Sequence, residues 1–369
     1  MQFLFNISGL LIFLSFLVTL YSYFFNNDLL ILSGILAWTS FLILFNSIKN
    51  KKMILILFIL SLIAFLISYF NGFKIDFIKV FTVNQYLLTL LIAVGFLRLI
   101  ATPKKDKLSS LPKGKQSFIK TYLGVHLFGS VINLSSLILV ADKMYKKAPL
   151  TNSQIILLTR AFSSDAYWSP FFVAFAAAIT YAPNLNTSII LLNGITLAFL
   201  AFLITYYEVI KNKEFNIDEF RGYPLSFDSL YLPFILAVLV LLTNYIYPET
   251  KVIVLISLYS MLMSLFILPL KKGFNQAISK FKLHIIDELP KMRVEMALFL
   301  VAGMFGMAVS SILIGLNLKL PFEIFDWQIA SILLLIFITL AFIGIHPIIT
   351  IAIIGDFLSG VNHTLLALT

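Results

Sequence analysis

The sequence predicts an all-α polytopic membrane protein of about ten transmembrane helices in two inverted repeats, the first of which carries a re-entrant helical hairpin. Three observations lead there. Of the 369 residues, 60% are hydrophobic and only 12% are charged, against about 25% charged in soluble domains, and the mean hydropathy is +0.99. The apolar residues fall in runs close to the roughly 20 residues that a helix needs to cross a bilayer. One interval, Thr151 to Pro183, is apolar enough to enter the membrane but polar at its centre.

Taken in order, Met1 to Phe25 lacks the basic start and small-residue cleavage site of a signal peptide and reads as the first span. Leu29 to Phe45, Met53 to Phe70, Tyr86 to Ala101 and Phe118 to Ala141 follow, separated by polar connections. After the interval come Ile189 to Tyr207, Leu230 to Tyr247, Val252 to Leu270, Met296 to Ile314 and a long run from Trp327 through Ile354. Five spans therefore stand on each side of residues 151–183. The first repeat is expected over 1–185, including the hairpin at 151–183, and the second over 186–369.

The 27 Lys and Arg residues outnumber the 17 Asp and Glu by ten, yet the lysines sit in short loops between apolar runs. There they orient spans and give no signal for nucleic acid. With the N-terminus inside, the loops at Lys49 to Lys52, Lys104 to Lys115, Lys211 to Arg221 and Lys271 to Arg293 all fall on the cytoplasmic side. Lys143, Lys146 and Lys147 are the exception, because they would face outward. The absence of cysteine excludes disulfides, thiolate metal sites and cysteine nucleophiles. Abundant Phe, Ile, Leu, Asn and Lys fit an AT-rich prokaryotic genome, hence a multi-pass protein of the cytoplasmic (inner) membrane. From 272 to 293, Phe274, Ala277, Ile278, Phe281, Ile285 and Leu289 recur near helical spacing, which predicts an interfacial helix on the inner membrane surface.

Within the unusual interval, Thr151-Asn152-Ser153 is an N-cap cluster and Ile155 to Phe162 gives two helical turns. The stretch Arg160-Ala-Phe-Ser163-Ser164-Asp165-Ala-Tyr167-Trp168-Ser169-Pro170 then interrupts them. Ser169 before Pro170 resembles a second N-cap, since proline is favoured at the first helical position. A charged pair and three serines facing lipid would be costly, so the interval must face protein or water. Broken backbone at membrane depth is tolerated only in those settings, which places the tip of the expected hairpin beside a pathway. A short echo, Gly124-Val125-His126 against Gly344-Ile345-His346, adds to the repeat reading. Its offset would place a second hairpin beyond Thr369, so the chain is expected to stop just short of it.

These residues resemble the ion transporter superfamily, which includes divalent-anion:sodium symporters and arsenite or citrate permeases. Ser163 to Pro170 is similar to the tip of the first family hairpin, with Ser169-Pro170-Phe171 where the family carries Ser-Asn-Thr. Gly344-Ile345-His346-Pro347 is similar to the segment before the second hairpin. The resemblance implies two inverted repeats, a homodimer and a first hairpin entering from the cytoplasm.

The candidate site follows from the chemistry of these side chains. Ser163, Ser164, Ser169 and Pro170 could offer hydroxyls and a helix N-terminus to a carboxylate or oxyanion, or pack helices together. Arg160 could hold such an anion by two parallel hydrogen bonds or pair with Asp165. Asp165, and Asp356 from the second half, are the ion-coupling candidates, binding Na+ or a proton. His126 and His346 could carry protons or bond between helices. Asn133, Ser135 and Ser136 interrupt the fifth span and line a cavity or bond across helices, and Tyr167 and Trp168 stack on a ligand or pack the tip. Metalloprotease, phosphate-loop and nucleophile-elbow signatures are missing, so no enzyme and no resident cofactor are expected beyond Na+ as a coupling ion. The expected function is secondary active transport of a small anionic solute across the lipid bilayer, coupled to Na+ or H+. The alternative is a membrane-embedded enzyme or assembly subunit acting on a lipid-linked or phosphate-bearing substrate.

Overall fold

The computed structural model describes residues 2–49, 51–101, 111–182, 184–211, 217–223, 231–318, 320–355, 358 and 360–369. In chain order the helices are α1 (Gln2–Phe24), α2 (Leu30–Leu44), α3 (Lys52–Phe70), α4 (Phe77–Thr82), α5 (Gln85–Ala101), α6 (Lys115–Ile132), α7 (Leu134–Tyr145), α8 (Asn152–Ser163), α9 (Val173–Tyr181) and α10 (Thr187–Lys211). They continue with α11 (Tyr231–Ile246), α12 (Val252–Lys272), α13 (Phe274–Leu283), α14 (Arg293–Gly315), α15 (Trp327–Phe342), α16 (Pro347–Gly355) and α17 (His363–Leu368). Among the described residues the sole β-type pairing is an isolated bridge between Lys113 and Arg221.

Among the described residues seven helical runs are long and apolar enough to cross a membrane: Phe3–Phe24, Asn27–Ser47, Lys52–Phe70, Phe77–Ile100, Thr187–Lys211, Val252–Lys272 and Phe274–Gly315. The protein is an all-α, multi-pass membrane protein. Two expected spans are broken. The run from Trp327 divides at Gly344, whose φ of +95° is open to glycine and closed to an α-helix, and Pro347 starts α16. The run Phe118 to Ala141 divides at Asn133.

The chain forms two compact units that interleave in sequence, one of residues 1–96, 177–186 and 265–369 and one of 97–176 and 187–264. In the first unit, buried hydroxyls join α1 to α2 and α5: the Ser33 hydroxyl lies 3.1 Å from both Ser15 Oγ and Gln85 Oε1. Asn84 donates to Phe299 O (2.7 Å) and so ties α5 to α14. The expected interfacial helix is α13, whose Phe274 and Ile278 are exposed, but beyond it the chain docks. Phe281 stacks on Phe96 at 5.6 Å, Gly9 of α1 makes room for Ile285 O, and Leu289 is fully buried. The tail of the 272–293 segment thus packs on α1 and α5 of the first unit.

The second unit positions the candidate site. Asn133 adopts φ +52° and ψ −141°, which no α-helix accommodates and which asparagine tolerates better than most residues. Ser136 Oγ then lies 3.4 Å from Val125 O across 11 residues, although a straight helix would separate them by about 16 Å. So α7 folds back along α6, and residues 115–145 form a helical hairpin where one span was expected.

The interval 151–183 does the opposite. Thr151 caps α8 in a capping box with Gln154. Gln154 Nε2 donates to Arg221 O (2.7 Å) and the adjacent Gly222 N–H donates to Ser117 Oγ (3.0 Å), which sets the start of α8 level with the first turn of α6. Further on, Ala161 O faces His126, the Ser169 hydroxyl donates to Ser130 O, and Asn133 Nδ2 donates to Phe171 O (3.1 Å). As the interval advances through 161, 169 and 171, its partners on α6 and in the turn after it advance through 126, 130 and 133. A tip at Tyr167 would have brought Ser169 and Phe171 back toward Ser117. Through the break the chain advances along α6 as far as Asn133, and the rings of Phe162 and Phe172 meet across it at 5.2 Å. The helix break itself is present: α8 ends at Ser163, a 3-10 turn covers Ser164–Tyr167, and α9 starts at Val173, three residues later than Pro170 would have it. Antiparallel to this segment runs α10. Its Gly194 lets Tyr167 O approach closely, and Phe202 packs on Tyr122 at 5.0 Å.

Candidate functional site

At the break, Asp165 is fully buried. It sits in the 3-10 turn because the backbone N–H groups of Trp168 and Ser169 both close on its own carbonyl (3.3 and 3.0 Å). Its side chain points at α6. Carboxylate Oδ1 lies 2.8 Å from His126 Nδ1, yet neither carboxylate oxygen receives an aligned hydrogen bond. The space for Oδ2 is provided by Gly129, where any Cβ would collide with it.

His126 explains why the carboxylate goes unserved. Trp168 Nε1–H donates to His126 Nε2 (3.1 Å), and an indole nitrogen can only donate. Nε2 must therefore be the bare, accepting nitrogen, and the ring carries its one proton on Nδ1. That nitrogen lies 3.0 Å from Ser164 Oγ and 3.1 Å from Ala161 O, while the Ser164 hydroxyl itself donates to Ala161 O (3.0 Å). A continuous chain runs Trp168 N–H, His126, Ser164, Ala161 O, with Asp165 alongside and outside it. Tyr122 stacks on the imidazole at 6.3 Å and 26°. The unit is a histidine whose Nε2 faces a tryptophan donor and whose Nδ1 lies 2.8 Å from a buried carboxyl group that has no aligned hydrogen bond. Such a carboxyl group costs on the order of several kcal/mol as an ion.

Of the residues singled out from the sequence, His126, Ser164 and Asp165 come together here, and Ser169 sits one turn away. Ser169 is committed: its hydroxyl donates to Ser130 O and accepts from Phe171 N–H (3.2 Å). Ser163 is exposed and reaches Arg160 O at 3.4 Å. Pro170 lies half-buried within the break. Arg160 pairs with neither Asp165 nor an anion position; its partner is Glu208 of α10, and both are half-exposed. Asn133 forms the hairpin turn, and the Ser135 side chain lies outside the described residues. His346 is exposed at the start of α16, where its Nδ1 accepts from Ile348 N–H (3.2 Å), so the echo with His126 is not repeated in its surroundings. Asp356 lies outside the described residues. The sequence reading assigns Trp168 only a stacking or packing role and passes over Tyr122 and Gly129. The spacing holds a signal, since Tyr122, His126 and Gly129 are four and three residues apart and share one face of α6.

A broken helix in an all-α, multi-pass membrane protein, with a histidine and a buried carboxyl group at the break, is the class that fold and site define. Comparison with known proteins found no matching family model, no similar curated protein and no similar solved structure.

Proposed function

We propose that this protein is a secondary active transporter in which the His126–Asp165 pair takes up the coupling proton. The observation that carries the reading is Asp165: a fully buried carboxyl group with no aligned donor, at a break in a membrane-protein helix. Ionisable groups in membrane interiors mark ion pathways as a rule, and binding sites of secondary transporters gather at broken helices. A proton is favoured over Na+ because an imidazole nitrogen lies 2.8 Å from the carboxylate. The serines and Arg160 are engaged within the protein, so a carboxylate or oxyanion solute rests on the resemblance to the ion transporter superfamily.

The reading keeps ten crossings, five on each side of residue 186 in opposite orientation, with 151–183 as the fifth in place of Phe118 to Ala141. The hairpin 115–145 then leaves and returns on the same side. Lys143, Lys146 and Lys147 join the other basic loops on the cytoplasmic side, and Lys74 and Lys79 of the loop 71–79 are the paired lysines that stay outside.

Uptake of dicarboxylates, citrate and inorganic oxyanions into proteoliposomes, driven by an imposed proton or sodium gradient, tests the proposal. The expected result is proton-driven flux that Asp165→Asn abolishes while the variant still folds. Sodium-driven flux indifferent to pH, or Asp165→Asn transporting normally, would contradict it.

A further inference from the structure

Trp168 does more at this site than fill space. Its indole N–H points at His126 Nε2 (3.1 Å), and its ring lies 5.8 Å from the imidazole. Because that donor has no acceptor capacity, a proton cannot be added to Nε2 while the contact lasts: two N–H groups would face each other. The other ring nitrogen already carries the single proton of the neutral ring and is aimed at Ser164 and Ala161 O.

We infer that Trp168 is a positioning residue that locks His126 in its neutral Nδ1–H form and so confines proton uptake to the Asp165 carboxylate. An incoming proton bonds to an Asp165 oxygen lone pair, on the Oδ2 side beside Gly129, and leaves by the reverse step; no electron transfer or other group is involved. A proton on His126 itself requires the Trp168 hydrogen bond to open first, and Trp168 belongs to the break. Protonation of the histidine and movement of the break are then one event.

The surroundings leave few rivals for that control. Asp165 is the charged group against the ring. Tyr122 of the same helix stacks on it; from α7 comes Ser136, near Gly129; from α10 comes Phe202, behind Tyr122. Arg160 of α8 is held by Glu208.

The lock stands on geometry, while its consequence for transport rests on the proton-coupled reading above. The two can be tested apart. Protein labelled with 15N-histidine and reconstituted in bilayers reports the tautomer of each imidazole by solid-state NMR, and His126→Asn identifies the His126 signals among the four histidines. Between about pH 5 and 8, the expected spectrum shows His126 with a bare Nε2, a protonated Nδ1 and no imidazolium. Trp168→Phe keeps a ring and removes the donor. About tenfold of the tautomer preference should be lost, with the Nε2–H form or the imidazolium appearing where wild type has neither. Fluorescence of the remaining Trp38 and Trp327 checks the fold of that variant, and if it does not fold, the wild-type spectrum decides alone. A protonated Nε2 in wild type, or a folded Trp168→Phe with an unchanged His126 spectrum, would overturn the inference. Normal transport by Asp165→Asn beside a locked His126 would defeat the coupling reading and leave the lock standing.

Discussion

Asp165 and Gly129 show how one small residue admits one buried charge. The carboxylate occupies the volume that a side chain at position 129 would take, so Gly129→Ala should cost about 1–3 kcal/mol through overpacking, measured as a lower unfolding midpoint in detergent. Loss of coupled uptake should accompany it. Serine at 136, whose Oγ also meets the Cβ position, leaves no room for relief. Much of this site is legible in the sequence, because Asp165, Ser164 and Ser169 are polar residues in an apolar interval and the bilayer makes such residues conspicuous. What is not legible there is partnership. Arg160 stands five residues before Asp165 and looks like its counter-ion, but the chain direction carries it to Glu208, 48 residues away. Trp168 and His126, 42 residues apart, meet only because α8 runs level with α6.

At the scale of the elements, the decisive residue is Asn133. Hydrophobic periodicity reports which residues face lipid or protein and says nothing about the direction in which a helix travels. A folded pair of helices therefore reads as one span when both arms are apolar, and a broken crossing reads as a hairpin when its middle is polar. The run at 118–141 is such a folded pair, and the proposed crossing at 151–183 would be the second case. Gly344 divides a third apolar run for the same reason. The turn at Asn133 combines a positive φ with a side-chain hydrogen bond to Phe171 O, and these can be separated. Asn133→Gly keeps the backbone freedom and loses the bond, for an expected cost of about 1 kcal/mol. Asn133→Val loses both, and adds about 1–3 kcal/mol of strain for a β-branched residue at positive φ. Thermal unfolding of the two variants should rank them in that order; equal midpoints would mean that backbone conformation at 133 does not hold the hairpin.

For the molecule as a whole, class and most of the spans follow from length and composition, since only a membrane accommodates so many uncharged apolar runs. Orientation depends on which of two segments turns back, and that decision moves a basic loop across the bilayer. With the hairpin at 115–145, Lys146 lies on the same side as Lys211; with the hairpin at 151–183, the two lie on opposite sides. The chain contains no cysteine, so single replacements can be labelled without background. Lys146→Cys, Lys211→Cys and Asn27→Cys, each exposed to a membrane-impermeant maleimide in intact and then permeabilised cells, make the most direct measurement. The account expects Lys146→Cys and Lys211→Cys to react only after permeabilisation and Asn27→Cys to react in intact cells. Lys146→Cys reacting from outside while Lys211→Cys stays protected would contradict it.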